Sequence, residues 1–82
     1  MSFYRDKTKD YFLLDTKVEN MFINEYMVSA PGEYVKVYLF ALMYAELEVD
    51  FSNEDIAKQL SMDIEDVLKA WTYWRRWASL RR

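Results

Sequence analysis

Apolar residues recur with helical spacing along most of the chain, and this pattern predicts four helices. The first helix is expected to follow a capping box, Thr16–Glu19, and to run to about Val28. Its apolar face is predicted to hold four side chains: Val18, Phe22, Ile23 and Tyr26. Upstream, the short apolar run Tyr11–Leu14 has the length of a strand but no clear partner strand in the rest of the sequence.

The second helix is predicted from about Tyr34 to Glu46, after a turn marked by Pro31 and Gly32. It is apolar on two sides, so it is either a central core helix or a helix that also touches a second body. One stripe contains Val35, Tyr38, Leu39, Leu42 and Ala45, and the other contains Lys36, Phe40, Met43, Tyr44 and Leu47.

The last two helices have the pattern of a helix-turn-helix. A capping box at Ser52–Asp55 begins a short third helix that ends at Leu60, and Ser61–Asp63 turns the chain. Because glycine often occupies this turn, Ser61 predicts a looser one. The expected core of the unit is Ile56, Ala57, Leu60, Val67, Trp71 and Trp74. The buried stripe of the fourth helix is predicted as Ile64, Val67, Leu68, Trp71, Trp74 and Ala78.

Charge distribution argues against direct DNA reading by the fourth helix. The net charge is −3, and Asp63, Glu65 and Asp66 stand where a recognition helix meets the duplex. A nucleic-acid footprint is normally a basic patch, and only residues 75–82, with four arginines and no acidic residue, offer one. The candidate nucleic-acid contacts are Lys69, Thr72, Arg75, Arg76, Arg81 and Arg82.

Composition narrows the function class further. The sequence has no cysteine, no histidine and one glycine, so it lacks the usual zinc ligands, a Ser-His or Cys-His pair and a phosphate-binding loop. We therefore expect no enzyme activity, no metal and no cofactor. The start lacks a signal peptide, and the longest apolar run, Val37–Ala45, is too short to span a bilayer, so we expect a cytoplasmic protein.

The chain of 82 residues predicts one domain, residues 11–82, preceded by a flexible arm, residues 1–10. Apolar residues make up 52% of the chain, more than so small a core readily hides, so we expect a homo-oligomer, either a dimer or a tetramer. The residues expected at the self-association surface are Tyr11, Phe12, Leu13, Phe40, Met43 and Tyr44.

Several stretches together resemble a known family. Phe22–Met27 reads Phe-Ile-Asn-Glu-Tyr-Met, Glu33–Leu39 reads Glu-Tyr-Val-Lys-Val-Tyr-Leu, Ile56–Leu60 reads Ile-Ala-Lys-Gln-Leu, and Tyr73 precedes Trp74. In this combination the sequence resembles the N-terminal domain of DnaD-like replication initiation proteins, which belong to low-GC Gram-positive bacteria and their phages. The likeness covers about residues 12 to 77, and the middle stretch is its most specific part.

The resemblance implies a winged-helix fold and a role in primosome assembly, where such proteins help to load the replicative helicase. It also implies that this domain mainly self-associates and meets other replication-initiation proteins, while a separate C-terminal domain carries much of the DNA binding. One departure is clear: Trp77–Leu80 replaces the run that leads the family into its wing hairpin. Either the sequence is a shortened piece of such a domain, or the fourth helix continues to its end.

We therefore predict a mainly α domain of four helices around a helix-turn-helix, winged-helix-like but with an incomplete wing. Its expected function is assembly within a bacterial replication-initiation complex, with weak DNA binding at most. The alternative is a DNA-binding helix-turn-helix transcriptional regulator, in which the arginines would contact phosphates and the fourth helix would enter the groove.

Overall fold

A computed structural model describes residues 14–81 of the chain, with side chains to residue 77, and every regular element in that part is helical. The elements are α1 (Phe22–Tyr26), α2 (Gly32–Leu47), α3 (Asn53–Leu60) and α4 (Ile64–Arg81). The prediction of a mainly α domain is confirmed, and α4 continues to Arg81 with no strand between residues 14 and 81. Outside the described part lie residues 1–13, with Tyr11, Phe12 and Leu13, and the side chains of Ala78, Arg81 and Arg82.

The first helix is shorter than predicted and is a single π-helical turn. The amide of Met27 donates to the carbonyl of Phe22 over 2.8 Å, a bond that spans five residues instead of four. This wider turn buries Phe22 but leaves Ile23 exposed, so the predicted placement of Ile23 on the buried face is wrong.

Residues 15–19 have no regular secondary structure, so the helix start predicted at Thr16–Glu19 is also wrong. Helical bonding begins at the carbonyl of Glu19, which accepts from the amides of Phe22 and Ile23. The amide of Lys17 instead donates to Glu46 Oε1 over 3.1 Å, which ties this segment to the last turns of α2. This bond joins residues 29 positions apart in the sequence.

Helix α2 begins directly after Pro31 and ends at Glu48, whose left-handed backbone (φ 58°) closes the helix. The amide of Val49 donates to the carbonyl of Tyr44 there. The two buried residues of α2 are Val37 and Ala41, which lie between the two predicted stripes. Because α2 is apolar nearly all round, the sequence pattern could not indicate which line would face the core.

Helix α3 begins as predicted. The Ser52 hydroxyl accepts from the Asp55 amide over 3.1 Å, and the Asp55 carboxylate accepts from the Ser52 amide over 2.9 Å. This reciprocal capping box satisfies two of the donors that a helix start otherwise leaves free.

Helix α4 is rotated relative to its predicted buried stripe. Its buried side chains are Val67, Ala70 and Trp74, whereas Ile64 and Leu68 are exposed. Alanine carries little weight in a hydrophobic pattern, but here its small size allows close helix packing. Among the side chains that the structure describes, one buried alanine is found on each of α2, α3 and α4: Ala41, Ala57 and Ala70.

The core centres on three aromatic rings from three elements. Phe22 stacks on Tyr38 with ring centres 4.1 Å apart, and Trp74 lies 5.2 Å from each of them. The indole N–H of Trp74 donates to the carbonyl of Tyr34 over 2.8 Å, so α4 is also fixed to the first turn of α2. Trp74 is only 6% exposed, and this one side chain therefore joins α1, α2 and α4.

Trp71 differs from Trp74, although both were predicted to be buried. Trp71 is half-buried, and its indole N–H donates to Asn53 Oδ1 over 2.9 Å, which links it to α3 and corrects its predicted position between α4 and α2.

We predict unequal losses of stability at the two tryptophans. Trp74→Ala should lower the free energy of unfolding by about 3–5 kcal/mol, as aromatic truncations in cores do. Trp71→Ala should cost about half as much, because part of its surface already meets water. Urea melts of both variants test this, and equal losses would show that the two indoles are equally buried.

Candidate functional site

The candidate site is the helix-turn-helix formed by α3, residues 61–63 and α4. Ser61 adopts the left-handed conformation (φ 56°, ψ 45°). Its amide and that of Met62 both donate back into the last turn of α3, the latter to the Ala57 carbonyl over 2.9 Å. This is a tight, hydrogen-bonded helix end of the kind that glycine usually provides, so the looser turn predicted from Ser61 is wrong.

The wedge between α3 and α4 is filled largely by the residues proposed for it. Ile56, Ala57 and Val67 are buried, Leu60 is half-buried, and Trp74 and Trp71 lie as described above. The small side chain of Ala57 brings the backbones of the two helices close together. The unit therefore has the shape that serves either groove insertion or protein docking.

The polar face of α4 points away from the core. Lys69, Thr72, Arg75 and Arg76 are all exposed, whereas the side chains of Arg81 and Arg82 lie outside the described residues. The Thr72 hydroxyl donates to the Leu68 carbonyl over 3.2 Å, so its proton is used within the helix. Among the described side chains, the cationic candidates for nucleic-acid contacts are therefore Lys69, Arg75 and Arg76.

Charge is segregated along α4. Asp63, Glu65 and Asp66 surround its N-terminus, where they complement the helix dipole, and no acidic residue follows Asp66 in the sequence. Lys69, Arg75 and Arg76 supply only basic charge further along. One end of the helix is therefore acidic and the other is basic.

Between these charges lies an apolar surface that the sequence pattern placed in the core. We call Ile64, Leu68 and Trp71 the α4 strip: Ile64 is 37% exposed, Leu68 is 47% exposed and Trp71 is half-buried. Their spacing of four and then three residues aligns them on one face of the helix, with Arg75 next in line. Apolar side chains of this size on a solvent face are the main unexpected feature of the site.

The side chains of the surface proposed on α2 are covered by more contacts within the domain than those of the α4 strip. Phe40, Met43 and Tyr44 are all half-buried. The ring of Tyr44 lies 5.1 Å from that of Phe40 and stacks at 5.5 Å on Phe51, which precedes α3. These rings form a small aromatic cluster within the domain, so part of their apolar surface is already used.

Tyr73 and Trp77 also pack within the domain. Tyr73 lies 5.5 Å from the ring of Tyr34, and Trp77 lies 5.0 Å from that of Tyr26. Both side chains are half-buried by these contacts, so neither stands free as a platform for nucleic-acid bases.

A shallow surface cleft of about 340 Å³ lies between α2 and α4. Tyr38 and Trp74 lie at its inner side, and Trp71 and Arg75 border it on α4. Within residues 14–77, no three carboxylates gather closely enough to hold a metal ion. No helix in the described part of the chain is both long and apolar enough to cross a membrane.

No family model, no curated protein and no solved structure matches the sequence. The resemblance to DnaD-like proteins therefore depends on the residues quoted for it, and it stays a prediction.

The left-handed serine yields a test of the turn. Ser61→Gly should raise the free energy of unfolding by about 0.5–1 kcal/mol, because glycine adopts this backbone without a Cβ clash, although it loses more entropy on folding. Ser61→Ala is the matched control and should give no gain, since its Cβ remains. Urea melts measure both, and a loss of stability in Ser61→Gly would contradict the left-handed assignment.

Proposed function

We propose that this chain is an assembly domain, acting by self-association within a bacterial replication-initiation complex of the DnaD-like kind. The observation that supports this most directly is the α4 strip. The helix that would read DNA presents Ile64 and Leu68 to solvent, at 37% and 47% exposure. Exposed apolar groups on a docking helix favour a protein partner over a phosphate-lined groove.

Electrostatics supports the same choice. From Asp63 to Arg76 the chain carries three acidic and three basic residues, so this stretch offers no net positive charge to phosphates. The carboxylates stand at the end that a recognition helix brings to the base edges. Docking on DNA would place them in the strongest negative potential, where they oppose binding.

Further exposed apolar groups lie outside the helix-turn-helix. The large exposed hydrophobic side chains of the described part are Leu14, Met21, Ile23, Val28, Leu39, Ile64 and Leu68. Four of these belong to the segment that precedes α2. These four side chains are available for contacts with other replication-initiation proteins.

A DNA-binding regulator is the second candidate function. The tight turn at Ser61 and the exposed cationic groups of Lys69, Arg75 and Arg76 favour it. In that function the arginines would bind phosphates, and binding would depend steeply on salt.

Self-association is the first prediction for this function. The chain should be a dimer or larger at tens of micromolar, because burial of its exposed apolar groups offsets the entropy of association. Sedimentation velocity over a series of concentrations measures this. A chain that sediments as a monomer throughout would contradict the proposal.

DNA binding provides a separate test. Any retardation of DNA should be weak and lost near physiological salt, and Arg75→Ala/Arg76→Ala/Arg81→Ala/Arg82→Ala should abolish it at low salt. Lys36→Ala, an exposed charge removed from α2, is the control and should change little. Sequence-selective binding by the wild-type chain at physiological salt would favour the regulator instead.

A further inference from the structure

We infer that the α4 strip is a self-complementary surface that receives the α4 strip of a second copy, with the two helices antiparallel. This inference rests on the proposed self-association and names the surface and geometry that would perform it. It moves the expected contact from Phe40, Met43 and Tyr44 on α2 to Ile64, Leu68 and Trp71 on α4.

Exposure distinguishes the two surfaces. The rings of Phe40 and Tyr44 pack against each other, and Tyr44 also stacks on Phe51. Contacts within the chain therefore already cover part of this cluster. Leu68, by contrast, is 47% exposed at the centre of the α4 strip. The strip is therefore the surface with more to gain from a partner.

The charges of α4 select the orientation. Acidic residues surround its N-terminus, and from Lys69 onward its ionised side chains are basic. A parallel pair would bring like charges together at both ends. An antiparallel pair brings the acidic end of each helix to the basic end of the other, so the charges attract at both ends.

One register satisfies the apolar and the charged contacts together. With the two-fold axis midway between Leu68 and Trp71, Leu68 of each copy faces Trp71 of the other. The same axis sets Ile64 opposite Arg75, whose aliphatic stem can cover it. Residue i then meets residue j and residue j meets residue i, as a symmetric dimer requires.

Glu65 and Arg76 form the flanking pair that is best suited to a test. They are eleven positions apart, which is about three helical turns, so they lie on one flank of α4. In an antiparallel pair that flank meets its own copy, and Glu65 of each chain comes within about one turn of Arg76 of the other. Both side chains are exposed, so charge reversal should leave the fold intact.

A second copy fits this surface better than DNA does. The one hydrogen-bonding side chain of the strip, Trp71, already donates its indole N–H to Asn53 Oδ1, and the acidic end of the strip would repel phosphates. A second copy supplies apolar surface and opposite charge in the required places without any further component. The two-fold arrangement also repeats each favourable contact.

The experiment is a charge-exchange series on the whole chain, followed by sedimentation velocity at low salt. Glu65→Arg and Arg76→Glu should each raise the dissociation constant about tenfold, because two attractive pairs become repulsive. An equimolar mixture of these two variants should associate as tightly as the wild type, because the two pairs in the mixed dimer then carry opposite charges. The double variant Glu65→Arg/Arg76→Glu should recover in the same way.

Two further variants locate the surface. Leu68→Glu should abolish association at tens of micromolar, because it places a charge at the centre of the strip. Leu39→Glu is the matched control, since Leu39 is a leucine of α2 that is 37% exposed, and it should associate normally. Circular dichroism melts report whether each variant is folded, and recovery in the mixture excludes misfolding as the cause of dissociation.

The outcomes separate this inference from the proposed function. If the wild type associates but neither charge reversal nor Leu68→Glu weakens it, the α4 surface is refuted while self-association stands. If both single reversals dissociate the chain and their mixture does not recover, the antiparallel register is refuted. If the wild type is monomeric throughout, both proposals fail.

Discussion

The rest of the structure depends on the indole of Trp74. Its N–H bond to the Tyr34 carbonyl holds α4 to the first turn of α2, and its ring packs on Phe22 and Tyr38. A domain of this size has little buried surface to spare, so a side chain that joins three elements carries an unusual share of its stability. Because Trp74 determines how α4 is rotated, it also determines which residues of α4 remain outside.

The sequence pattern predicted the elements better than their orientation. The capping box at Ser52–Asp55 depends on neighbouring residues alone, and the structure contains both of its bonds. The rotation of α2 and α4 depends on how they pack against each other, which a hydrophobic pattern does not encode. Ala70 adds little to a hydrophobic pattern because its apolar surface is small, yet it is fully buried. Leu68 fitted a helical stripe equally well and is exposed.

The start of the chain shows a second limit of local patterns. Thr16–Glu19 matches a capping box, but the Lys17 amide binds Glu46, 29 positions away. A short window of sequence does not contain a partner that far away. The same window does not predict the π-helical turn that places Ile23 in solvent. The candidate site could be predicted only in part. The spacing of the wedge residues indicates their role, whereas the exposure of the α4 strip follows from how the helices pack.

The two left-handed residues that bracket α3 have a consequence for its motion. Glu48 and Ser61 each hold a backbone conformation that costs a residue with a Cβ about 1 kcal/mol or more, and unwinding of the last turn of α2 or of α3 relieves one of these costs. In α3, the buried side chains of Ile56 and Ala57 are the main contacts that oppose opening. Helix α3 has 8 residues against the 16 of α2, so of these two helices it should open first, and faster amide hydrogen exchange in α3 than in α2 would reveal it. Each opening would release the indole of Trp71 from Asn53 and briefly enlarge the apolar face of α4.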